Sequence, residues 1–277
     1  MKHISILGCG WLGMALAKRL VEEEQPVKGS TTTSEKLERL SGYGVEPYLI
    51  RLSPQINEDY DHTFFDAHTL ILNLPVEDRQ DIDQFLPHQI EVLINLIHRS
   101  PVQHIVFLSS VNVYPNLNTV VTERDVLYPE SKKAKALIEA ERLLQMQPDF
   151  NTTVIRMAGM FGKGRHPGGF LANQKNLKNG EAPVNLVHLE DCVNIICKLL
   201  KVPSCRGEVF NVCAPRHPKR SDFFRKAALN GGYTPPTFLD DKHRSFKIVS
   251  SDKVQRLLKY KFVHENPKKL FEVSAAD

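Results

Sequence analysis

At 277 residues, 42% hydrophobic and 25% charged, the chain can bury the core of one large α/β unit or of a nucleotide domain with a smaller lobe, which excludes a disordered or fibrous protein. The formal charge of +4 comes from scattered Lys and Arg interleaved with acids, which argues against a nucleic-acid partner; a mildly basic phosphate cleft accounts for it as well. No apolar run approaches the roughly 18–20 residues of a membrane span, and Met1 leads directly into an apolar strand, so a cytoplasmic protein without a membrane partner is expected.

In chain order, residues 3–7 read as an apolar strand, followed by a glycine turn and a helix over 11–24 with Leu12, Leu16 and Leu20 at helical spacing. A second strand is predicted at 26–31, a helix at 34–40 with Ser34 as its cap, and a third strand at 46–52. Further strands are expected at 69–74, 104–108 and 152–156, alternating with helices at 81–98 and 130–145. Near-continuous apolar strands alternating with helices of this length require cover on both faces. The fold class is therefore α/β, a Rossmann-type doubly wound parallel sheet.

After Gly162 the chain turns rich in Gly, Pro and basic residues, returns to apolar periodicity at 184–200 and forms a strand at 209–212. Helical stretches near 221–228 and 252–258 lie in a proline-broken tail. We expect a dinucleotide-binding domain over 1–163, to which 184–212 returns, and a smaller substrate-binding lobe made mainly of 164–277. Cys9, Cys192, Cys197, Cys205 and Cys213 are odd in number and lack ligand spacing, so reduced thiols are expected and no metal site.

Gly8, Gly10 and Gly13 in LGCGWLG fit GxGxxG between a strand and a helix. Gly8 would make the tight turn, Gly10 would let the backbone approach a pyrophosphate, and Gly13 would let the helix pack on the strand. Trp11 and Leu12 open the helix whose amino terminus would face the phosphates. At the end of the second strand, where a carboxylate would mark NAD, stand Thr31, Thr32 and Thr33, with Lys36 and Arg39 nearby. Hydroxyls and cations favour NADP, with NAD as the alternative. Asn73, Leu74 and Pro75 leave the fourth strand at the sheet edge where ligands bind in such folds.

The glycines, FLSSVNVY at 107–114, Pro129 and Glu141 around the next helix, VIRMAGMFGKGR at 154–165, NLVHLEDCVNIICKLL at 185–200 and GEVFNV at 207–212 stand in an order that resembles the extended short-chain dehydrogenase/reductase family. That branch holds the sugar-nucleotide epimerases, dehydratases and reductases. The resemblance implies a catalytic role for Ser110, hydrogen-bonding the reacting oxygen, and a cofactor contact at Ser109; a serine that merely caps the strand is the alternative. The family's acid/base pair is YxxxK. Counted from Pro129 and Glu141, its positions hold Lys133 and Leu137, so the chain is similar to atypical members that lack the pair. Tyr128 and Lys132 spell the same motif four residues earlier, but a residue before proline is pushed out of the α region. Lys133 remains a candidate proton donor, and Arg165 and His166 are candidates for a substrate phosphate.

Two functions follow as expectations. One is an NAD(P)-binding oxidoreductase or epimerase-like enzyme acting on a sugar nucleotide or related small molecule; the other is a dinucleotide-binding sensor or scaffold without turnover.

Overall fold

A strand covered on both faces is mainly apolar, and Ile4–Leu7 (β1) and Thr69–Leu72 (β4) are fully buried along their lengths in a computed structural model of the protein, the polar Ser5 donating its hydroxyl to the Phe64 carbonyl at 2.6 Å. The structure describes residues 3–76, 78–240 and 245–271. Between those two strands lie α1 (Trp11–Glu22), β2 (Val27–Thr31), α2 (Leu37–Ser41) and β3 (Glu46–Leu49). Then come α3 (Ile82–Ile97), β5 (His104–Ser110), β6 (Thr119–Val121), α4 (Lys132–Gln145), β7 (Asn151–Met157) and β8 (Gly159–Phe161). The remainder comprises β9 (Leu186–His188), α5 (Leu189–Lys201), β10 (Val209–Val212), α6 (Arg220–Asn230), β11 (Lys247–Val249) and α7 (Asp252–Leu258).

Seven strands form one sheet in the order β10-β7-β5-β4-β1-β2-β3, and the pairings of β1 with β2 and β4, of β2 with β3 and of β4 with β5 are parallel. The Rossmann-type parallel sheet read from the sequence is the sheet observed. Strand order reverses between β1 and β4, which places the topological switch point, where ligands enter doubly wound sheets, at the carboxyl ends of those strands. In α1 the stripe Leu12, Leu16, Ala17 and Leu20 is buried.

The described residues divide into two compact units, one within 1–113, 127–156 and 196–210, the other within 114–126, 157–195 and 211–277. The segment returning to the first unit thus starts at Ile196 rather than at 184. In addition, 114–126 joins the second unit because its strand β6 pairs with β11, Thr119 beside Lys247. The periodic stretch at 184–200 is a short strand running directly into a helix, β9 then α5. Within the second unit, Phe161, Leu186, Phe223 and Ala227 make a core of their own.

Several boundaries differ from the sequence reading for local reasons. Residues 34–36 form a 3-10 turn, and Thr33, not Ser34, stands at its cap, extended and without a side-chain cap bond. The helix after Pro129 starts at Lys132 because Ser131 caps it, its hydroxyl accepting from the Ala134 amide at 3.1 Å. All five cysteines are buried free thiols. Among the described residues no helix is long and apolar enough to cross a membrane.

Candidate functional site: the glycine turn and the carboxyl edge of the sheet

The turn after β1 is built from three glycines with three different surroundings. Gly8 has φ +103°, and a Cβ on it would stand 2.4 Å from the Asn73 carbonyl oxygen. A Cβ on Gly13 would meet the Gly8 carbonyl oxygen at 2.3 Å, so helix and turn touch backbone to backbone. At Gly10 a Cβ would find nothing within 4 Å. The two closed positions hold the turn's shape, and the exposed one leaves room for a close approach to the backbone.

Neighbouring strands brace this turn. The Asn73 side-chain amide donates to the Gly8 carbonyl at 2.7 Å across the switch point, and the Ser30 hydroxyl accepts from the Gly8 amide at 2.9 Å. Asn73, expected to line a ligand pocket, therefore spends its amide on the glycine turn. Leu74 is half-buried and Pro75 exposed just beyond it. The first turn of α1 carries no acidic residue and Gly10 caps it without a side chain, so its amide dipoles meet no carboxylate from their own helix. The Leu12 side chain is buried in the core, so only its backbone faces the turn, while Trp11 is half-buried. Burial pushes the Cys9 thiol up to about 12, which leaves it unreactive.

At the end of β2, Thr31 is buried and Thr32, Thr33 and Lys36 are exposed. The Thr31 hydroxyl lies 3.3 Å from the Thr33 hydroxyl and accepts from the Thr33 amide at 3.3 Å. Arg51 enters from the next strand, its Nε donating to the Thr32 carbonyl at 3.1 Å. The sequence reading missed this arginine because it looked along β2. The parallel register, Thr31 beside Leu49, brings the exit of β3 alongside the threonines.

Ser109 and Ser110 end β5 on opposite faces. Ser109 is buried and its hydroxyl donates to Glu141 Oε1 at 2.5 Å, so it serves an internal ion pair rather than the cofactor contact expected of it. Glu141 in turn accepts from Arg156, Nη2 to Oε2 at 2.6 Å. Ser110 is half-buried, and its hydroxyl accepts from the Asn112 amide at 3.2 Å. That bond is a local turn contact, and the donor hydrogen of the same hydroxyl is not used by it.

The register positions for the acid/base pair carry different chemistry. Leu137 is buried with 2% exposure. Lys133 reaches Asp78 at 3.1 Å in a pair whose two side chains are 41% and 98% exposed, a solvated pairing rather than a buried proton donor. Tyr128 lies outside α4 with 67% exposure, and the Lys132 amine donates to the Gln80 carbonyl at 2.6 Å, so the earlier YxxxK is not a helical i,i+4 pair.

In the second unit, Arg165 is exposed and its guanidinium lies over Phe170 at 5.6 Å. His166 is packed instead. Its ring stacks on Tyr233 at 5.9 Å and its Nδ1 accepts from the Gly168 amide at 3.1 Å, a structural placement for a residue expected to grip substrate.

Over residues 4–213 the sequence matches the NAD dependent epimerase/dehydratase family. The chain belongs to this family. Among curated relatives, Protein YeeZ of Escherichia coli is 35% identical over 273 residues, covering 96% of this chain and 98% of that protein. Two solved structures show the family's fold. UDP-glucose 4-epimerase of Thermotoga maritima, solved with UDP-glucose, superposes with TM-score 0.76 at 17% identity over 98% of this chain and 97% of that one. A short-chain dehydrogenase/reductase superfamily protein of Agrobacterium tumefaciens with bound NAD gives 0.73 at 17% identity, over 94% and 92%.

Proposed function

We propose that the glycine turn binds a nicotinamide dinucleotide, NADP in preference to NAD, and that the protein is an oxidoreductase or epimerase-like enzyme acting on a sugar nucleotide or related small molecule. The observation that carries this reading is the contrast among the glycines: Gly8 and Gly13 are closed against backbone, whereas Gly10 is open at the head of a helix whose first turn carries no acid. That donor set fits a pyrophosphate, held by Gly10 and the amides of Trp11, Leu12 and Gly13. When bound, the nicotinamide supplies hydride transfer. Arg51, Lys36 and the hydroxyls of Thr32 and Thr33 offer cations and donors where a 2′-phosphate belongs, and the first carboxylate after β2, the exposed Glu35, lies in the following 3-10 turn rather than at the strand's end. Thr32→Asp places a carboxylate beside Arg51 and should flatten or reverse the preference for NADP in calorimetric titration; a tenfold wild-type preference for NAD, about 1.4 kcal/mol, would contradict the reading of this loop.

Ser110 is the residue proposed to hydrogen-bond the reacting oxygen. Ser110→Ala is expected to lower NADPH-dependent turnover of a sugar nucleotide or small carbonyl by roughly 10²-fold, and Tyr128→Phe to leave it within a few-fold of wild type. The opposite pattern would make the shifted YxxxK the working pair. A second reading, a sensor or scaffold that binds dinucleotide without turnover, is favoured by one observation: the buried Leu137 stands where the family places its lysine. Tight NADP binding with no turnover of any sugar nucleotide tested would select it.

A further inference from the structure

The second unit holds a cluster that the dinucleotide reading does not use. His188 ends β9, Glu190 lies in the first turn of α5, and His264 follows in the chain after α7. One ligand atom from each lies within 4.8 Å of the others. The two imidazole rings are 3.8 Å apart by centroid, and His264 Nε2 stands 2.9 Å from Glu190 Oε2. Neighbouring groups fix the arrangement. Asp191, fully buried, accepts from the amides of Val263 at 2.8 Å and His264 at 3.0 Å and from the Tyr260 hydroxyl at 2.6 Å, so the backbone of His264 is anchored beside Glu190. On the other side the edge of Phe161 packs on His188 at 5.3 Å, and a Cβ on Gly162 would come within 3.1 Å of His188 Nε2.

We propose that His188, Glu190 and His264 form a binding site for one divalent transition-metal ion of the zinc class. Two imidazoles and a carboxylate are borderline ligands that suit zinc and its neighbours and discriminate against magnesium and calcium, which take oxygen alone. Ligands about 2.0–2.1 Å from a tetrahedral zinc stand about 3.3 Å from one another, so the 2.9 Å pair needs to open only slightly. Binding replaces the 2.9 Å hydrogen bond between His264 and Glu190, because a ligating imidazole nitrogen carries no proton, and, where His188 ligates through Nδ1, also the 3.3 Å approach of the Glu190 amide, longer than an ordinary amide hydrogen bond. Glu190 is half-exposed, which leaves a solvent side for water as the fourth ligand. The ion would tie the turn at His264 to the β9–α5 junction and reinforce the anchor that Asp191 supplies. Sequence spacing carries no sign of this set, because His264 is 74 residues from Glu190.

The test is calorimetric titration of Zn²⁺ into tag-free, chelator-treated full-length protein, with Co²⁺ as a spectroscopic probe of coordination. Wild type should take up one equivalent with a Kd of about 1 μM or tighter, show visible bands of low-coordinate cobalt, and melt at a higher temperature with zinc than without. Glu190→Gln and His264→Ala each keep the backbone bonds to Asp191, so both should fold, and each should weaken zinc binding by about 100-fold or more. Absence of saturable binding in wild type would overturn the proposal, as would binding that both variants retain.

Discussion

Gly10→Val is expected to yield a folded protein that has lost dinucleotide affinity by more than about 100-fold, roughly 2.7 kcal/mol, whereas Gly13→Ala is expected to damage the fold itself. The two differ because of what a new Cβ meets. At Gly10 it meets nothing within 4 Å; the backbone there, φ −76° and ψ −149°, lies outside the α and β regions and adds some strain, but the valine otherwise projects only into the space a pyrophosphate needs. At Gly13 it would stand 2.3 Å from the Gly8 carbonyl oxygen, which is backbone and cannot swing aside. Alanine's helix propensity favours that substitution by about 1 kcal/mol. Overpacking against an immobile turn costs about 1–3 kcal/mol or more and should win. Thermal unfolding and calorimetric titration with NADP and NAD, run on both variants, separate the two effects. Undiminished affinity in folded Gly10→Val would remove the basis for the cofactor assignment.

How far the fold was legible in the sequence depends on the range of the signal. The strands and helices of the first unit follow from apolar runs of period 3.6 or of continuous burial, and the glycine turn from a motif whose spacing is fixed by the chain itself. Boundaries slipped by a residue or two at caps: Ser131 caps α4, which starts at Lys132 rather than Glu130, and Thr33, with no side-chain cap bond, stands before the 3-10 turn in place of Ser34. The site was less legible because its partners come from other strands. Asn73 and Gly8 are 65 residues apart, Arg51 and Thr32 19 apart, and only the parallel register joins them. Nor does the sequence distinguish Ser109 from Ser110. Alternation along β5 puts the two on opposite faces, the first bonded to the buried Glu141 and the second to the Asn112 amide.

Glu141 marks the second large effect, and its place in the sequence suggested only a spacing landmark. Its carboxylate, 2% exposed, accepts from Arg156 Nε and Nη2 and from the Ser109 hydroxyl, linking α4, β7 and β5 beneath the edge that carries Ser110. Glu141→Ala leaves the Arg156 guanidinium buried without this counter-ion, and the expected loss is about 3–5 kcal/mol of stability in urea denaturation. Glu141→Gln keeps the shape and one acceptor oxygen while removing the charge, and should cost less, about 1–3 kcal/mol. Because the pair is shielded from solvent, raising the salt concentration should change neither loss appreciably, unlike the exposed pair of Lys133 with Asp78. Replacing both partners, Glu141→Leu with Arg156→Met, removes the buried charges together and should recover most of the stability lost in Glu141→Ala. If the double variant were as unstable as the single one, the ion pair would not be the source of the loss, and packing between α4 and β7 would have to carry it instead.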